Sequence, residues 1–162
     1  MMEDVLQNIR VVLVGTLYHG NVGSVCRAMA NMGLRELVLA RPRLCDDPSD
    51  ASRMAVHAAD ILNARREAAT LAEAVADCAF VAGTTARGGL YRQHVKTPRE
   101  SAPELLRLAT NGKVALVFGC EDKGLSNEEI GLCTHLIRIP VHPDYTSLNL
   151  AQAVLLCSYE LY

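Results

Sequence analysis

The residues that could do chemistry in this sequence are polar side chains grouped in loops of the second half of the chain. Glu121 lies between two glycines after an apolar run, and Thr146, Ser147 and Asn149 follow a loop with two prolines. Carboxylate, hydroxyl and amide oxygens accept hydrogen bonds, so they can bind a ligand or can bind backbone N–H groups, as an N-cap oxygen does. Both roles stay open for these residues, and the two can coexist.

A run of cations between residues 86 and 99 is the second chemically useful group. It contains no acidic residue and four cations: Arg87, Arg92, Lys96 and Arg99. The whole chain has a formal net charge of −2, so any basic surface must be local, and this run suits the positioning of nucleic-acid phosphates. The alternative is a solvated loop, which the adjacent glycines 88 and 89 would allow to move.

Several common kinds of site are disfavoured by the sequence. Gly15 and Gly20 have the spacing of a P-loop, but Asn21 and Val22 stand where Lys and Ser or Thr should follow, and no G-x-G-x-x-G occurs. The six cysteines form no C-x-x-C pair, so we expect reduced, mostly buried thiols and no metal site. An ATPase, an NAD-dependent enzyme and a metalloenzyme are therefore disfavoured.

Strands and helices alternate along the chain, which predicts an α/β domain with a mostly parallel sheet. The predicted strands are residues 10–14, 36–40, 78–82, 114–118 and 136–140. The first predicted helix starts at Asn21 or Ser24 and ends before Gly33, and three more cover 51–59, 65–75 and 98–110. Another helix follows the capping box at Ser126, and the last helix starts within 146–149. Residues 60–63 are ambiguous. Ligands bind at the carboxyl ends of such strands, so loops 83–89, 119–125 and 140–149 should form the ligand site.

The last helix indicates an assembly. Residues 150–157 are apolar on nearly every face, whereas a helix on the outside of a monomer shows one apolar stripe. Such a helix needs cover on two sides, and a second subunit would provide it. We therefore expect a homodimer.

Size and composition predict one domain over residues 1–162 in the cytoplasm. A chain of 162 residues can build one sizeable core. It has no apolar run of about 18 residues and no signal-peptide pattern at its N-terminus, so we expect no membrane partner.

Four segments in order resemble the motifs of the SPOUT superfamily of RNA methyltransferases, in the TrmH family and closest to the TrmJ type. They are Gly20–Leu34, Gly83–Arg87, Leu116–Glu129 and Ile139–Ala151 with Ser147-Leu-Asn149 at its centre. Each motif alone is weak, but four at fitting spacing are specific, and the match runs from about Ile9 to the last residue. The resemblance implies a dimeric α/β domain, a SPOUT fold whose C-terminal segment forms a trefoil knot and whose knot loops bind S-adenosylmethionine.

The resemblance also implies site residues. Those expected to bind the cofactor are Thr84, Thr85, Ala86, Gly119, Ile139, Asp144, Tyr145, Thr146, Ser147, Leu148 and Asn149. Those expected to be catalytic are Asn21, Arg27, Glu121, Ser147 and Asn149. Those expected to bind RNA are Arg27, Arg87, Arg92, Lys96 and Tyr145.

The implied reaction is metal-free methyl transfer to a ribose 2′-hydroxyl of tRNA, at position 32 of the anticodon loop. A guanidinium stays protonated, so we interpret Arg27 as a fork that binds phosphate and stabilises oxyanion character; the alternative is a solvated cation. Asn21 would orient Arg27 or the ribose, or would only cap a helix. Tyr145 would contact the substrate, or would pack between subunits. The alternatives for the whole protein are a ribosomal RNA methyltransferase, a non-catalytic dimeric RNA-binding module and a small-molecule-binding domain.

Two departures from the family pattern stand out. Cys120 replaces the basic residue often seen after the motif glycine, which would weaken RNA contact or only change packing. TrmJ-type enzymes usually continue into a helical C-terminal extension, whereas this sequence stops at Tyr162. We expect either a catalytic-domain fragment or a minimal family member.

Overall fold

The computed structural model describes residues 1–88 and 94–162, which form an α/β domain. Its strands are β1 (Ile9–Val14), β2 (Glu36–Ala40), β3 (Arg66–Ala68), β4 (Phe80–Thr84), β5 (Val114–Phe118) and β6 (His135–Ile137). Its helices are α1 (Met2–Leu6), α2 (His19–Asn31), α3 (Ser49–Ala55), α4 (Ala59–Ala64), α5 (Leu71–Ala74), α6 (Pro98–Ala109), α7 (Asn127–Gly131) and α8 (Leu150–Leu161). The predicted α/β class is confirmed.

The sheet has six strands in the order β3-β2-β1-β5-β4-β6, and every neighbouring pair is parallel. From β1 the chain builds outward through β2 and β3 on one side, while β4, β5 and β6 lie on the other side. The strand order therefore reverses between β1 and β5. At such a switch point the loops that leave the two strands diverge and open a crevice at their carboxyl ends.

Both faces of the sheet are covered, but unequally. On one face Leu13, Leu116 and Phe118 are buried in the larger core, which also contains side chains of α2, α3, α6 and α8. On the other face Val12 and Val117 pack in a smaller cluster with the short α5 and α7. Burial on two faces explains why the central strands are continuous apolar runs and lack polar alternation.

The predicted start of α2 is wrong, because the helix begins at His19 and its N-cap is Tyr18. The backbone N–H of His19 donates to Asp46 Oδ1 at 2.7 Å, and that of Tyr18 donates to Glu121 Oε2 at 3.3 Å. These distant carboxylates satisfy N–H groups that a local cap would otherwise bind. Gly33 stands just beyond the end of α2 with a φ of +72°, as predicted for a glycine stop.

The helix predicted over 65–75 is also wrong. Residues 66–68 instead form β3, which pairs with β2 and is joined to it by Arg66 Nη2 and Glu36 Oε1 at 2.7 Å. Thr70 then caps α5, since its hydroxyl oxygen accepts from the backbone N–H of Glu73. The ambiguous segment 60–63 lies within α4, and the strand predicted over 78–82 lies two residues later, at 80–84.

Strand β6 has backbone neighbours on both sides. It pairs with β4, and on its other side Lys96 donates its N–H to Leu136 O at 3.1 Å and accepts from Arg138 N at 2.9 Å. The segment before α6 and the segment after β6 therefore pass beside each other at the carboxyl end of the sheet. Within the described ranges, no helix has the length and apolar character that a membrane span requires.

Candidate active site

A cavity of about 500 Å³ opens at the carboxyl end of the sheet, on the side of β1 where the strand order reverses. Each of the three loops selected from the sequence contributes to its wall. The lining comprises residues 84–87, 118–125 and 146–150, together with Asn21, Ile137, Ile139 and Ala153. The cavity thus combines apolar side chains, which come mostly from β6 and the start of α8, with polar loop residues.

The loop after β4 forms the first wall and is held by its own hydrogen bonds. The hydroxyl of Thr84 donates to Val117 O at 3.1 Å, and that of Thr85 donates to Arg87 O at 3.0 Å. Arg87 Nη2 donates to Leu125 O at 2.7 Å, so this arginine joins the loop after β4 to the loop after β5. The wall is therefore shaped by protein contacts before any ligand binds.

Glu121 joins the second wall to the loop after β1. Its carboxylate accepts hydrogen bonds from Thr16 Oγ1 (3.2 Å), Leu17 N (3.1 Å), Tyr18 N (3.3 Å) and Asn21 Nδ2 (3.0 Å). The sequence left open whether Glu121 binds a ligand or backbone N–H groups, and the structure shows backbone N–H groups together with Asn21. Hydrogen bonds to a charged group are among the stronger ones, so Glu121 holds Asn21 at the cavity wall.

Gly119 allows the second wall to fold back on itself. A β-carbon at this position would lie 2.2 Å from the carbonyl carbon of Gly124 and 2.3 Å from the nitrogen of Leu125. The neighbouring Cys120 donates its thiol to Asp122 Oδ1 at 3.0 Å. Burial and then the carboxylate of Asp122 raise the pKa of the Cys120 thiol. Position 120 therefore presents a neutral group to the cavity.

The third wall leads into α8. Asn149 caps this helix, because its Oδ1 accepts from Ala151 N at 2.9 Å and from Gln152 N at 3.3 Å. The predicted capping role of Asn149 is thereby confirmed, whereas the helix itself begins at Leu150, one residue after the predicted range of 146–149. Thr146 and Ser147 are exposed residues on the same wall.

Not every predicted site residue lies on the cavity wall. Asp144 and Tyr145 are exposed and lie outside the lining, and Lys96 is drawn toward Glu104, with its Nζ 3.7 Å from Oε2. Arg92 lies outside the described residues. The lining includes these predicted residues: Asn21, Thr84, Thr85, Ala86, Arg87, Gly119, Glu121, Ile139, Thr146, Ser147, Leu148 and Asn149.

Arg27 also lies outside the lining, although it shares α2 with Asn21. The two residues are six positions apart, about 9 Å along the helix axis, and they face different directions. Arg27 is exposed, and it has no ion pair among the residues that the structure describes. Its guanidinium is therefore exposed to solvent.

Two arginines near the cavity were missed by sequence reasoning. Arg138 Nη2 donates to Arg87 O at 3.0 Å. The guanidinium of Arg43 lies over Gly15, beside Cys120. No local pattern marks either residue, because an isolated surface arginine is ordinary. Among the described residues there is no cluster of three or more His, Cys, Asp and Glu side chains that could hold a metal ion.

Comparison with known proteins agrees with this architecture. The model of the SpoU rRNA methylase family matches residues 8–159, which is nearly the whole chain. The chain belongs to the SpoU methylase family. A relative from Pseudomonas aeruginosa, named as the tRNA (cytidine/uridine/adenosine-2′-O-)-methyltransferase TrmJ, is 47% identical over 157 residues, which cover 96% of this chain and 61% of the relative.

Solved structures give the same result. A Neisseria gonorrhoeae protein assigned to a methylase family superposes with a TM-score of 0.92 at 40% identity, covering 98% of this chain and 83% of that one. TrmJ from Zymomonas mobilis superposes with a TM-score of 0.86 at 39% identity, covering 94% of this chain and 67% of that one. The chain spans 61 to 63% of the length of the curated relatives that it matches.

Proposed function

We propose that this chain is the methyltransferase domain of an enzyme that uses S-adenosylmethionine to methylate a ribose 2′-hydroxyl of tRNA. The observation that carries the proposal is the cavity at the switch point. All four segments that resemble the family motifs contribute to its wall, although they are spread over the whole sequence. The 47% identical relative is named for this reaction on tRNA.

The cavity fits the proposed cofactor in size and chemistry. Its volume of about 500 Å³ lies within the roughly 300–1,000 Å³ of small-molecule sites. Ile137, Ile139 and Leu148 offer apolar surface for a nucleobase, while the loops at 84–86 and 119–125 offer polar backbone and side-chain groups. When bound, S-adenosylmethionine supplies an electrophilic methyl group on a sulfonium centre.

The residues of this chain then act mainly by positioning and electrostatics. Glu121 holds Asn21 at the wall, where its amide orients the ribose. Arg27 binds the adjacent phosphate through its guanidinium fork and stabilises negative charge that develops on the attacking oxygen. It is not the base, because a guanidinium stays protonated, so the proton of the 2′-hydroxyl passes to solvent water. Ser147 stands on the cofactor side of the same cavity, beside the capping residue Asn149.

The active unit is a homodimer, in which Arg27 of the partner subunit completes each cavity. Two observations support this. Arg27 lies outside the lining of its own cavity. Leu156 and Tyr159 on α8 are 42% and 64% exposed, although the opposite face of the helix is buried.

The C-terminal segment forms the trefoil knot that the family resemblance implies, and the pairing of Lys96 with Ile137 beside β6 supports that path.

The proposed target is position 32 of the anticodon loop, and this choice rests on the resemblance alone. Transfer of tritiated methyl groups into unmodified tRNA tests the enzyme proposal. We expect incorporation by the wild type, a loss of roughly 100-fold for Arg27→Ala, and little change for Arg35→Ala, which removes an exposed partner of Asp60.

Two results would contradict the proposal in different ways. A wild-type rate no higher than that of Arg27→Ala would favour a non-catalytic RNA-binding module. Incorporation into ribosomal RNA and none into tRNA would assign another substrate. Mapping the labelled nucleotide by nuclease digestion and mass spectrometry then tests position 32.

A further inference from the structure

The wall of the cavity has a neutral side chain at position 120. Cys120 lines the cavity, and its thiol is neutral and engaged with Asp122 Oδ1. Nothing at this position can attract the phosphate of an RNA substrate. The loop after β5 carries one cation, Lys123, which lines the cavity and directly follows Asp122 in the chain.

The loop after β2 brings a cation, Arg43, close to Cys120. Arg43 belongs to the loop after β2, which is attached to the loop after β1 by the bond from Arg43 N to Thr16 O at 2.9 Å. A β-carbon added at Gly15 would lie 3.6 Å from Nε and 3.7 Å from Nη2 of Arg43, and also 3.7 Å from the β-carbon of Cys120. The guanidinium and Cys120 therefore share the space that Gly15 leaves open.

The positive charge of Arg43 acts on the rim of the cavity, and no close ion pair neutralises it. The pKa of Asp122 is lowered, first by the thiol of Cys120 and further by the charges of Arg43 and Lys123. Arg43 is exposed, and among the described residues no carboxylate lies within ion-pair distance of its guanidinium. Arg43 does not line the cavity, and its exposed guanidinium lies close to Gly15 and to the cavity residue Cys120.

We infer that Arg43 supplies, from the loop after β2, the cation that position 120 lacks, and that it binds a phosphate of the substrate RNA at the mouth of the cavity. The inference rests on the proposed function. A guanidinium suits this role because its planar fork matches two phosphate oxygens and is only weakly hydrated. Phosphate contacts of this kind fix the register of a nucleic acid without reading its bases.

The experiment moves the positive charge from position 43 to position 120. Four variants are compared with the wild type: Arg43→Gln, Cys120→Arg, the double variant Arg43→Gln/Cys120→Arg, and the control Arg35→Gln at the opposite end of the sheet. For each, one measures kcat/KM for tRNA, the KM for S-adenosylmethionine, the thermal midpoint and the dependence of tRNA affinity on salt concentration.

We expect Arg43→Gln to lower kcat/KM for tRNA about tenfold, as the loss of one charged hydrogen-bonded contact does. The KM for S-adenosylmethionine should not change. The slope of log affinity against log salt should shrink by about 0.7–0.9, which is one phosphate contact. The double variant should regain most of the lost kcat/KM and of the salt slope, and Arg35→Gln should behave as the wild type.

A role in which Arg43 only braces the loop through Asp122 gives a different pattern. Arg43→Gln would then lower the thermal midpoint and weaken S-adenosylmethionine binding, and Cys120→Arg would not restore activity. That pattern, or an unchanged salt slope in Arg43→Gln, overturns the inference. If the wild type transfers no methyl group, the proposed function fails, while the salt slope of tRNA binding still tests Arg43 by itself.

Discussion

Glu121 is the residue on which the geometry of the site most depends. One carboxylate accepts bonds from a hydroxyl, two backbone N–H groups and a side-chain amide, all of which belong to the loop after β1 or the start of α2. Removing the charge would leave donors without an equivalent acceptor. This loss would have two effects: the domain would be less stable, and Asn21 would be less well oriented.

Glu121→Gln should therefore lower the free energy of unfolding by about 1 kcal/mol, because the donors are only partly buried and the amide oxygen of Gln still accepts some of their bonds. Methyl transfer should fall further than stability alone explains, since Asn21 loses its partner. Urea unfolding and initial rates measure the two effects. Glu128→Gln, an exposed acid on α7, is the control, and equal behaviour of the two variants would remove Glu121 from the site.

The sequence predicted the roles of those residues whose hydrogen-bond partners lie nearby in the chain. It missed the roles of residues whose partners are remote in the chain. Ser126 and Asn149 cap their helices as expected, because each binds N–H groups two or three residues away. Asp46 and Glu121 satisfy N–H groups at the start of α2 from 27 and 103 residues away. Arg43 belongs to the same class, since its position beside Cys120 depends on how three loops meet.

Among the elements, β1 carries a buried charge at the end of the sheet away from the cavity. Arg10 is 2% exposed, and its guanidinium donates to Asp77 Oδ1 at 2.6 Å and to Glu36 Oε1 at 3.0 Å. Lys113 Nζ also binds Glu36, at 2.8 Å. This cluster joins β1 and β2 to the segment after α5, so it fixes the amino ends of the strands.

The charges of this cluster predict a loss of stability in acid. The hydrogen bond from Arg10 lowers the pKa of Asp77 to about 2. Burial would raise the pKa of Glu36, but the bonds from Lys113 and Arg10 outweigh it, and the pKa is lowered. A carboxyl group with a depressed pKa stabilises the fold above its unfolded pKa of about 4, and this contribution disappears as the pH falls through the folded value.

Unfolding free energies measured between pH 5 and about pH 2 should therefore fall less steeply for Asp77→Asn than for the wild type. Between these two pH values the wild type should lose at most about 1 kcal/mol more of its unfolding free energy than Asp77→Asn, because the side chain of Asp77 is 64% exposed and screened by solvent. Asp60→Asn, which breaks an exposed pair with Arg35, is the control. Parallel curves for the wild type and Asp77→Asn would contradict the assignment.

The elements themselves were predicted where their hydrophobic pattern is long and uniform. β5 was predicted with the bounds that it has, and α6 begins at Pro98 as expected. The prediction failed at residues 66–68, two of which are charged, and which become a strand only because β2 lies beside them. A three-residue edge strand has no pattern of its own, so tertiary pairing decides it.

For the whole molecule, the alternation of strands and helices predicted the layers but could not predict the strand order. The order of strands in a parallel sheet depends on the direction in which each crossover connection moves along the sheet, and no single segment of the sequence specifies that direction. The position of the cavity nevertheless followed from a general property of such sheets, since loops meet at their carboxyl ends. The knot and the homodimer stay proposals at this scale.

The proposed homodimer has a direct test on α8. Leu156→Glu places a charge on the exposed apolar face of this helix, where Tyr159 is also exposed. We expect the mass measured by light scattering after size exclusion to change from two subunits to one, with loss of methyl transfer because Arg27 of the partner subunit is no longer near. Met54→Glu alters a residue of similar exposure on α3 and should leave the dimer intact. A wild-type monomer would contradict the proposed assembly.

The central claim is that the cavity between the loops after β4 and β5 and the start of α8 binds S-adenosylmethionine, and calorimetric titration tests it most directly. The wild type should bind one molecule per protomer. Gly119→Ala should lose binding while it stays folded, because the new methyl group would collide with the backbone of Gly124 and Leu125. Gly131→Ala, where an added β-carbon meets nothing within 4 Å, should bind as the wild type does. A folded wild-type protein that binds no S-adenosylmethionine, or a Gly119→Ala variant that binds it equally well, would contradict the account.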